Sequence, residues 1–187
     1  MEPLNKINVL DKGYVALVSV SNDGRVLKSL YDDFFRTKIN RELWHLASMT
    51  LLVKCPLFQQ LQFSKLNLRI VQIPGSDELE TYTPDVSDIN TGSTEDDSQM
   101  AAYLKQTAEA MLIAPKALQE DKCDKFVSQI ITPISVYNTI IVHGSLNEWL
   151  SYVKQNKLPK QLESYRVVIE GMMAAEWKQL DTYKKGI

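Results

Sequence analysis

The rhythm of apolar and polar positions changes several times along this chain, and each change predicts an element. Ile7 to Leu10 and Tyr14 to Val20 flank Asp11-Lys12-Gly13, which reads as a strand, a tight turn and a second strand, closed by Ser21-Asn22-Asp23-Gly24. Val26, Leu27, Leu30, Tyr31 and Phe34 fall on one face at helical spacing over Val26 to Phe35. After a break at Thr37 to Asn40 comes Arg41 to Leu46, and then Ser48 to Val53, a run of strand formers bounded by Pro56. Pro56 to Phe63 fits a short helix with proline in its first turn, where a missing N–H costs nothing. Asn67 to Ile73 alternates Leu68, Ile70 and Gln72 against Arg69, Val71 and Ile73, a strand that ends at Pro74.

Gly75 to Ser98 breaks the pattern. It carries eight acidic residues, and no Lys or Arg occurs between Arg69 and Lys105. Thr, Ser, Pro and Gly fill much of the rest, so 75–98 reads as a flexible, solvated acidic loop, with an acidic docking loop as the alternative. From Asp97 the rhythm becomes helical: Met100, Ala101, Leu104, Ala108, Met111 and Leu112 recur at three- and four-residue steps before Pro115. Short helical turns follow at Pro115 to Gln119 and Lys125 to Ile131. Ile134 to Val142 is β-branched and reads as a buried strand or a core helix. Ser145 caps a helix from Leu146 to Gln155 that buries Leu146, Trp149, Leu150 and Val153. Leu158-Pro159 opens a last helix to about Tyr183, with Leu162, Tyr165, Val168, Ile169, Met172, Met173 and Trp177 inward. The pattern predicts one α+β domain over 1–187: a small mixed or antiparallel sheet carries the N-terminal half, and packed helices the C-terminal half.

Composition narrows the function. With 187 residues, 44% of them hydrophobic, the chain can bury a sizeable core. A net charge of −2 gives no basic field for a phosphate backbone, so strong nucleic-acid binding is not expected. No apolar run approaches the roughly 20 residues that span a bilayer. The opening Met1-Glu2-Pro3-Leu4-Asn5-Lys6 lacks a secretory pattern, so a cytoplasmic protein is expected, with Cys55 and Cys123 as reduced thiols. His45 and His143 read as structural or solvated histidines, and the cysteines show no metal-ligand spacing, so no metal site is expected. Lys65 with Arg69, and Lys154 with Lys157 and Lys160, read as surface charges, with residual phosphate contact as the alternative.

Several segments together resemble the flavin-dependent thymidylate synthases. Leu10-Asp11-Lys12-Gly13-Tyr14-Val15 is similar to that family's first hairpin, and Lys54-Cys55-Pro56-Leu57-Phe58 to its strand-to-helix step. Pro133 to Tyr137 resembles its Pro-x-x-x-Tyr element, and Ser145-Leu146 to Leu150 its Ser-Leu helix, in the same order along nearly the whole chain. The resemblance implies the family's fold, a homotetramer with sites shared between subunits, and binding of FAD and dUMP. It places Gln62 where the family has a glutamine that reaches dUMP, with Lys65 and Lys154 as remaining nucleotide-side cations and His45 as the cofactor-side candidate.

The departures fall on the polar positions. The basic loop R-H-R-x-x-S-x-N-x-x-S-x-R-Y, which in the family holds flavin and dUMP phosphate, is missing between Phe63 and Ser64-Lys65-Leu66. The family's arginine before that loop aligns with Leu61, and the one after Pro-x-x-x-Tyr with Asn138 or Thr139. Its flavin-contacting residues align with Val142, Gly144 and Glu148, and the arginine closing over dUMP with Val153. Guanidinium forks bind phosphate bidentately, which a lone lysine does not reproduce. Loss of several such contacts lowers affinity by many orders of magnitude. No catalytic residue and no cofactor are therefore expected, FAD only if the family site is partly retained. The expected role is a homo-oligomer, or a hetero-oligomer with an active paralogue, whose contacts come from apolar stretches such as Leu46 to Phe63. The alternative is a divergent enzyme or sensor that binds FAD or a nucleotide.

Overall fold

The hairpin at the start of the chain forms as its turn chemistry predicts: β1 (Ile7–Val9) and β2 (Gly13–Ser21) pair antiparallel, Val9 opposite Gly13. A computed structural model describes residues 5–21, 47–73, 79–89, 93–121 and 132–177. The predicted helices at Val26 to Phe35 and Lys125 to Ile131, together with His45 and Cys123, lie outside the described residues. Gly13 is required by close approach. A Cβ there would collide with the Tyr165 hydroxyl and lie 2.7 Å from Val9 O and 2.9 Å from Lys54 O.

β3 (Ser48–Pro56) is the middle strand of a five-stranded sheet ordered β1-β2-β3-β5-β4, where β4 is Arg69–Gln72 and β5 is Tyr137–Ser145. Every pairing is antiparallel, which decides between the mixed and antiparallel alternatives. The Ile134 to Val142 ambiguity resolves as strand, because β-branched side chains suit a pleated surface buried between β3 and β4. The sheet therefore draws on both halves of the chain, unlike the predicted division into an N-terminal sheet and C-terminal helices.

Helix α1 (Leu57–Ser64) follows β3 with Pro56 at its N-cap. α2 (Thr94–Met111) and α3 (Ile113–Glu120) follow in the middle of the chain, and α4 (Leu146–Val153) and α5 (Lys160–Glu176) close it. Strand periodicity turns Met49, Leu51, Val53 and Cys55 to one face of β3, and Ile140 and Val142 to the same face of β5. There they meet Leu146, Trp149 and Leu150 of α4, and Tyr165, Ile169 and Met173 of α5, in one core. The Trp149 indole donates to Met49 O at 3.1 Å, locking α4 to β3. Within Leu46 to Phe63, Met49, Leu51, Val53, Cys55 and Phe63 are consumed by the chain's own core, while Leu61 is exposed.

Residues 79–89 and 93–98, the described part of the acidic segment, are more structured than their composition predicts. Thr81 bridges Val136, Tyr82 is buried, and Val86–Asp88 forms a 3-10 turn capped by Asp85. α2 begins at Thr94, inside the predicted loop, with Ser93 as N-cap. Its apolar residues do not form the buried stripe the spacing predicts: Met100, Tyr103 and Met111 are exposed, and Leu112 just past its end is buried.

Candidate functional site

The region the resemblance assigns to nucleotide and flavin lies between the end of α1, the start of β4 and both ends of α4. α1 closes directly onto β4. Lys65 N–H donates to Leu61 O at 3.2 Å, Leu66 N–H to Phe63 O at 3.1 Å and Asn67 N–H to Ser64 O at 3.4 Å. Asn67 takes a left-handed conformation, φ 61°, which asparagine tolerates better than most residues. Leu68 then turns into the core. A helical C-terminal turn thus fills the connection where the resemblance would place the basic loop.

Gln62 reaches the end of α4, its Nε2 donating to Gln155 Oε1 at 2.8 Å. Lys65 is the C-cap of α1 and Lys154 the C-cap of α4. Helix C-termini present carbonyl oxygens and the negative end of the dipole, so lysines are favourable there as helix partners while an approaching phosphate is repelled. Gln62 and Lys154 are therefore brought to one helix end, and Lys65 caps the other helix, in positions that a structural role explains. His45 lies outside the described residues.

The N-terminus of α4 is the place where backbone donors suit an anion. It is already filled. Ser145 and Glu148 form a reciprocal capping box: Ser145 N–H donates to Glu148 Oε2 at 2.7 Å, Ser145 Oγ donates to the same oxygen at 3.0 Å, and Glu148 N–H donates to Ser145 Oγ at 3.4 Å. A fixed carboxylate satisfies the cap and opposes a second negative charge. Gly144 is buried, and a Cβ there would collide with Leu68 Cδ2 and lie 3.2 Å from Trp149 Nε1. Val142 and Val153 point into the core. Three of the positions where the resemblance places donors thus lack room or solvent access for one. Leu61, 57% exposed, and the partly exposed Asn138, Thr139 and Glu148 are not so confined.

A second polar cluster, which the sequence reading missed, joins the β1–β2 turn to the start of β5. Tyr137 donates its phenol to Asp11 Oδ1 at 2.5 Å, and Thr83 N–H donates to Asp11 Oδ2 at 3.3 Å. Lys54 pairs with Glu80 and lies 5.8 Å from the Tyr137 ring centre. Lys12 donates to Thr81 O at 3.2 Å, and Tyr165 donates to Lys54 O at 2.9 Å. Nearby, Asp88 accepts from Tyr82 at 2.8 Å and pairs with Lys160 at 2.7 Å. These residues are scattered from 11 to 165, so no local spacing could reveal them; Asp11-Lys12-Gly13 carried a turn signal only.

The electrostatics of this cluster do not suit proton transfer. Burial, reinforced by Asp11, pushes the Tyr137 phenol well above its ordinary value. Burial does the same to Tyr165 and, with Asp88, to Tyr82. Burial works to raise the Asp88 carboxyl, but hydrogen bonds from Lys160 and Tyr82 outweigh it and hold it below the ordinary range. Cys55 is fully buried and its thiol is pushed up, so it lacks the thiolate character of a nucleophile. His143 Nδ1 lies 2.9 Å from Thr50 Oγ1, a cross-strand pair. Among the described residues no group of three or more His, Cys, Asp or Glu is placed to hold a metal ion.

No protein-family model matches the chain, and no curated protein matches it either. Among the described residues, no helix is long and apolar enough to cross a membrane.

Proposed function

We propose that this chain is a degenerate relative of the flavin-dependent thymidylate synthases that lacks their catalysis and works as an oligomeric or partner-binding scaffold. The observation that carries this reading is the start of α4, where Ser145 N–H is taken by Glu148 Oε2, Glu148 N–H by Ser145 Oγ and Leu146 N–H by Ala47 O, so these donors are not open to an anion. The buried Gly144 and the tight turn after α1 support it, since neither leaves space for the guanidinium donors of a phosphate site. What remains is an intact α+β core with most of its polar groups engaged in holding the fold.

The test is ligand-dependent melting. Binding to the native state alone raises stability. The dialysed protein is expected to be colourless and to show no shift in melting temperature with millimolar FAD or dUMP. A yellow preparation, a shift with either ligand, or turnover of dUMP with FAD, NADPH and methylene-folate overturns the proposal in favour of a working nucleotide site.

A further inference from the structure

β4 lies at the edge of the sheet. Ile73 N–H donates to Thr139 O at 3.1 Å, which fixes the alternation of the β4–β5 ladder. In an antiparallel pair, every second residue turns its N–H and C=O to the neighbour. Arg69, Val71 and Ile73 therefore bond toward β5, while the N–H and C=O groups of Ile70 and Gln72 point to the free edge. Among the described residues no strand pairs with that edge.

The side chains give the edge a direction. Ala16 pairs with Leu52, Leu52 with Ile141 and Ile141 with Val71, so one apolar row crosses four strands on the face opposite the main core, fully buried at Ala16 and opening toward β4. The row ends in Val71, 59% exposed, with Ile73 beside it at 37%. Arg69 and Pro74 bound this short edge, and between them its exposed apolar side chains are left for a further strand to cover.

Resting on the scaffold reading above, we propose that this edge is completed by β4 of a second copy, paired antiparallel about a two-fold axis through Val71. Ile70 then exchanges both backbone hydrogen bonds with Gln72 of the second copy, and Gln72 with its Ile70. Val71 meets Val71, and the apolar row runs on across the axis. Arg69 falls opposite Ile73 of the second copy and not opposite Arg69, so the pairing brings no like charges face to face. Moving the axis to Ile70 sets Arg69 against Val71 and breaks the row, and moving it to Gln72 sets Ile70 opposite Pro74, which has no N–H to exchange. Pro74, next in sequence, has no N–H to lengthen the ladder, so the contact is finite and closes as a dimer.

Sedimentation equilibrium of the full chain tests this at up to about 100 µM, since so short an edge lies at the weak end of interfaces. Wild type is expected to dimerise reversibly, doubling the 21.3 kDa mass. Val71→Lys and Val71→Glu are each expected to be monomeric with unchanged circular dichroism, and their equimolar mixture to recover a dimer, because residue 71 faces only its own counterpart. Gln72→Pro removes an outward N–H and leaves the β5 ladder intact, so it is expected to weaken the dimer roughly tenfold to a hundredfold. A wild type that stays monomeric, a dimer indifferent to Val71→Lys and Gln72→Pro, or charge variants that do not recover on mixing would each overturn the proposal. Failure of the scaffold reading shows separately, as a melting shift with FAD or dUMP.

Discussion

Tyr137 and Asp11 are joined by a 2.5 Å hydrogen bond although 126 residues separate them. The bond ties the first turn of the chain to the start of β5, across the ends of β2 and β3. Tyr137→Phe keeps the ring and removes the donor, leaving Asp11 Oδ1 without it. Loss of a hydrogen bond to a charged group costs about 1.5–3 kcal/mol. The denaturation midpoint is expected to fall accordingly with no change in slope, and Asp11→Asn, which keeps an acceptor, to fall less.

The buried phenols set the alkaline limit. Tyr82, Tyr137, Tyr152 and Tyr165 are all held above their ordinary value, chiefly by burial. Below about pH 10 both folded and unfolded chains keep these protons. Above it the unfolded chain releases them and the folded chain does not, so stability falls as pH rises. Phenolate absorbance from these four is expected to appear together with unfolding, in one cooperative step. Titration of all four before the loss of circular dichroism would count against their burial.

The acid limit has the opposite sign. The carboxyls of Asp88 and Glu163 are held below their ordinary range, Asp88 against the effect of burial and Glu163 by its hydrogen bond from Arg166. The stability they contribute is complete above about pH 5 and is lost as pH falls through their folded values. Asp88→Asn is expected to flatten the acid limb of a stability–pH curve, measured by urea denaturation.

Placing an arginine at position 144 is expected to unfold the region, not to create a phosphate site. The smaller change Gly144→Ala already forces a Cβ onto Leu68, an overpacking that costs about 1–3 kcal/mol. Gly144→Arg is expected to give insoluble or molten protein, read by loss of near-UV dichroism. A folded Gly144→Arg that binds dUMP would show that the space exists.

Ser145→Ala removes the side-chain acceptor for Glu148 N–H and is expected to cost about 1 kcal/mol in urea denaturation. Glu148→Gln keeps the reciprocal geometry and is expected to cost less. A Glu148→Gln protein that gains no dUMP affinity would show that the charge at this cap is not by itself what excludes a phosphate.

The elements most legible in the sequence were those whose signals are local. The hairpin at Asp11-Lys12-Gly13, the strand before Pro56, the helix after it and the Ser145 cap all carry their determinants within a few residues. α2 was misread at its start because an acid-rich segment was taken by composition as loop. Glu95, Asp96 and Asp97 occupy the first turn after Ser93, where acidic side chains favour a helix N-terminus. Its apolar residues recur at helical steps yet stay largely outside the core, since periodicity reports a face and not what covers it. Tyr82 and Thr81 were also misplaced, because a bridge to Val136 more than 50 residues away has no local signature. Of the candidate site, the helix-end positions of Lys65 and Lys154 and the Gln62–Gln155 contact have no local signature, because they depend on how α1 and α4 end and meet.

The central position of β3 shapes how this protein must be made. Met49 and Trp149 touch although 100 residues lie between them, and β5 arrives just before that tryptophan. On the ribosome, the β2–β3 pair is synthesised with one bare edge and a greasy underside, and both stay uncovered until most of the polypeptide has emerged. Such a delay invites premature aggregation, so C-terminal truncations that stop short of β5 should depend heavily on chaperones.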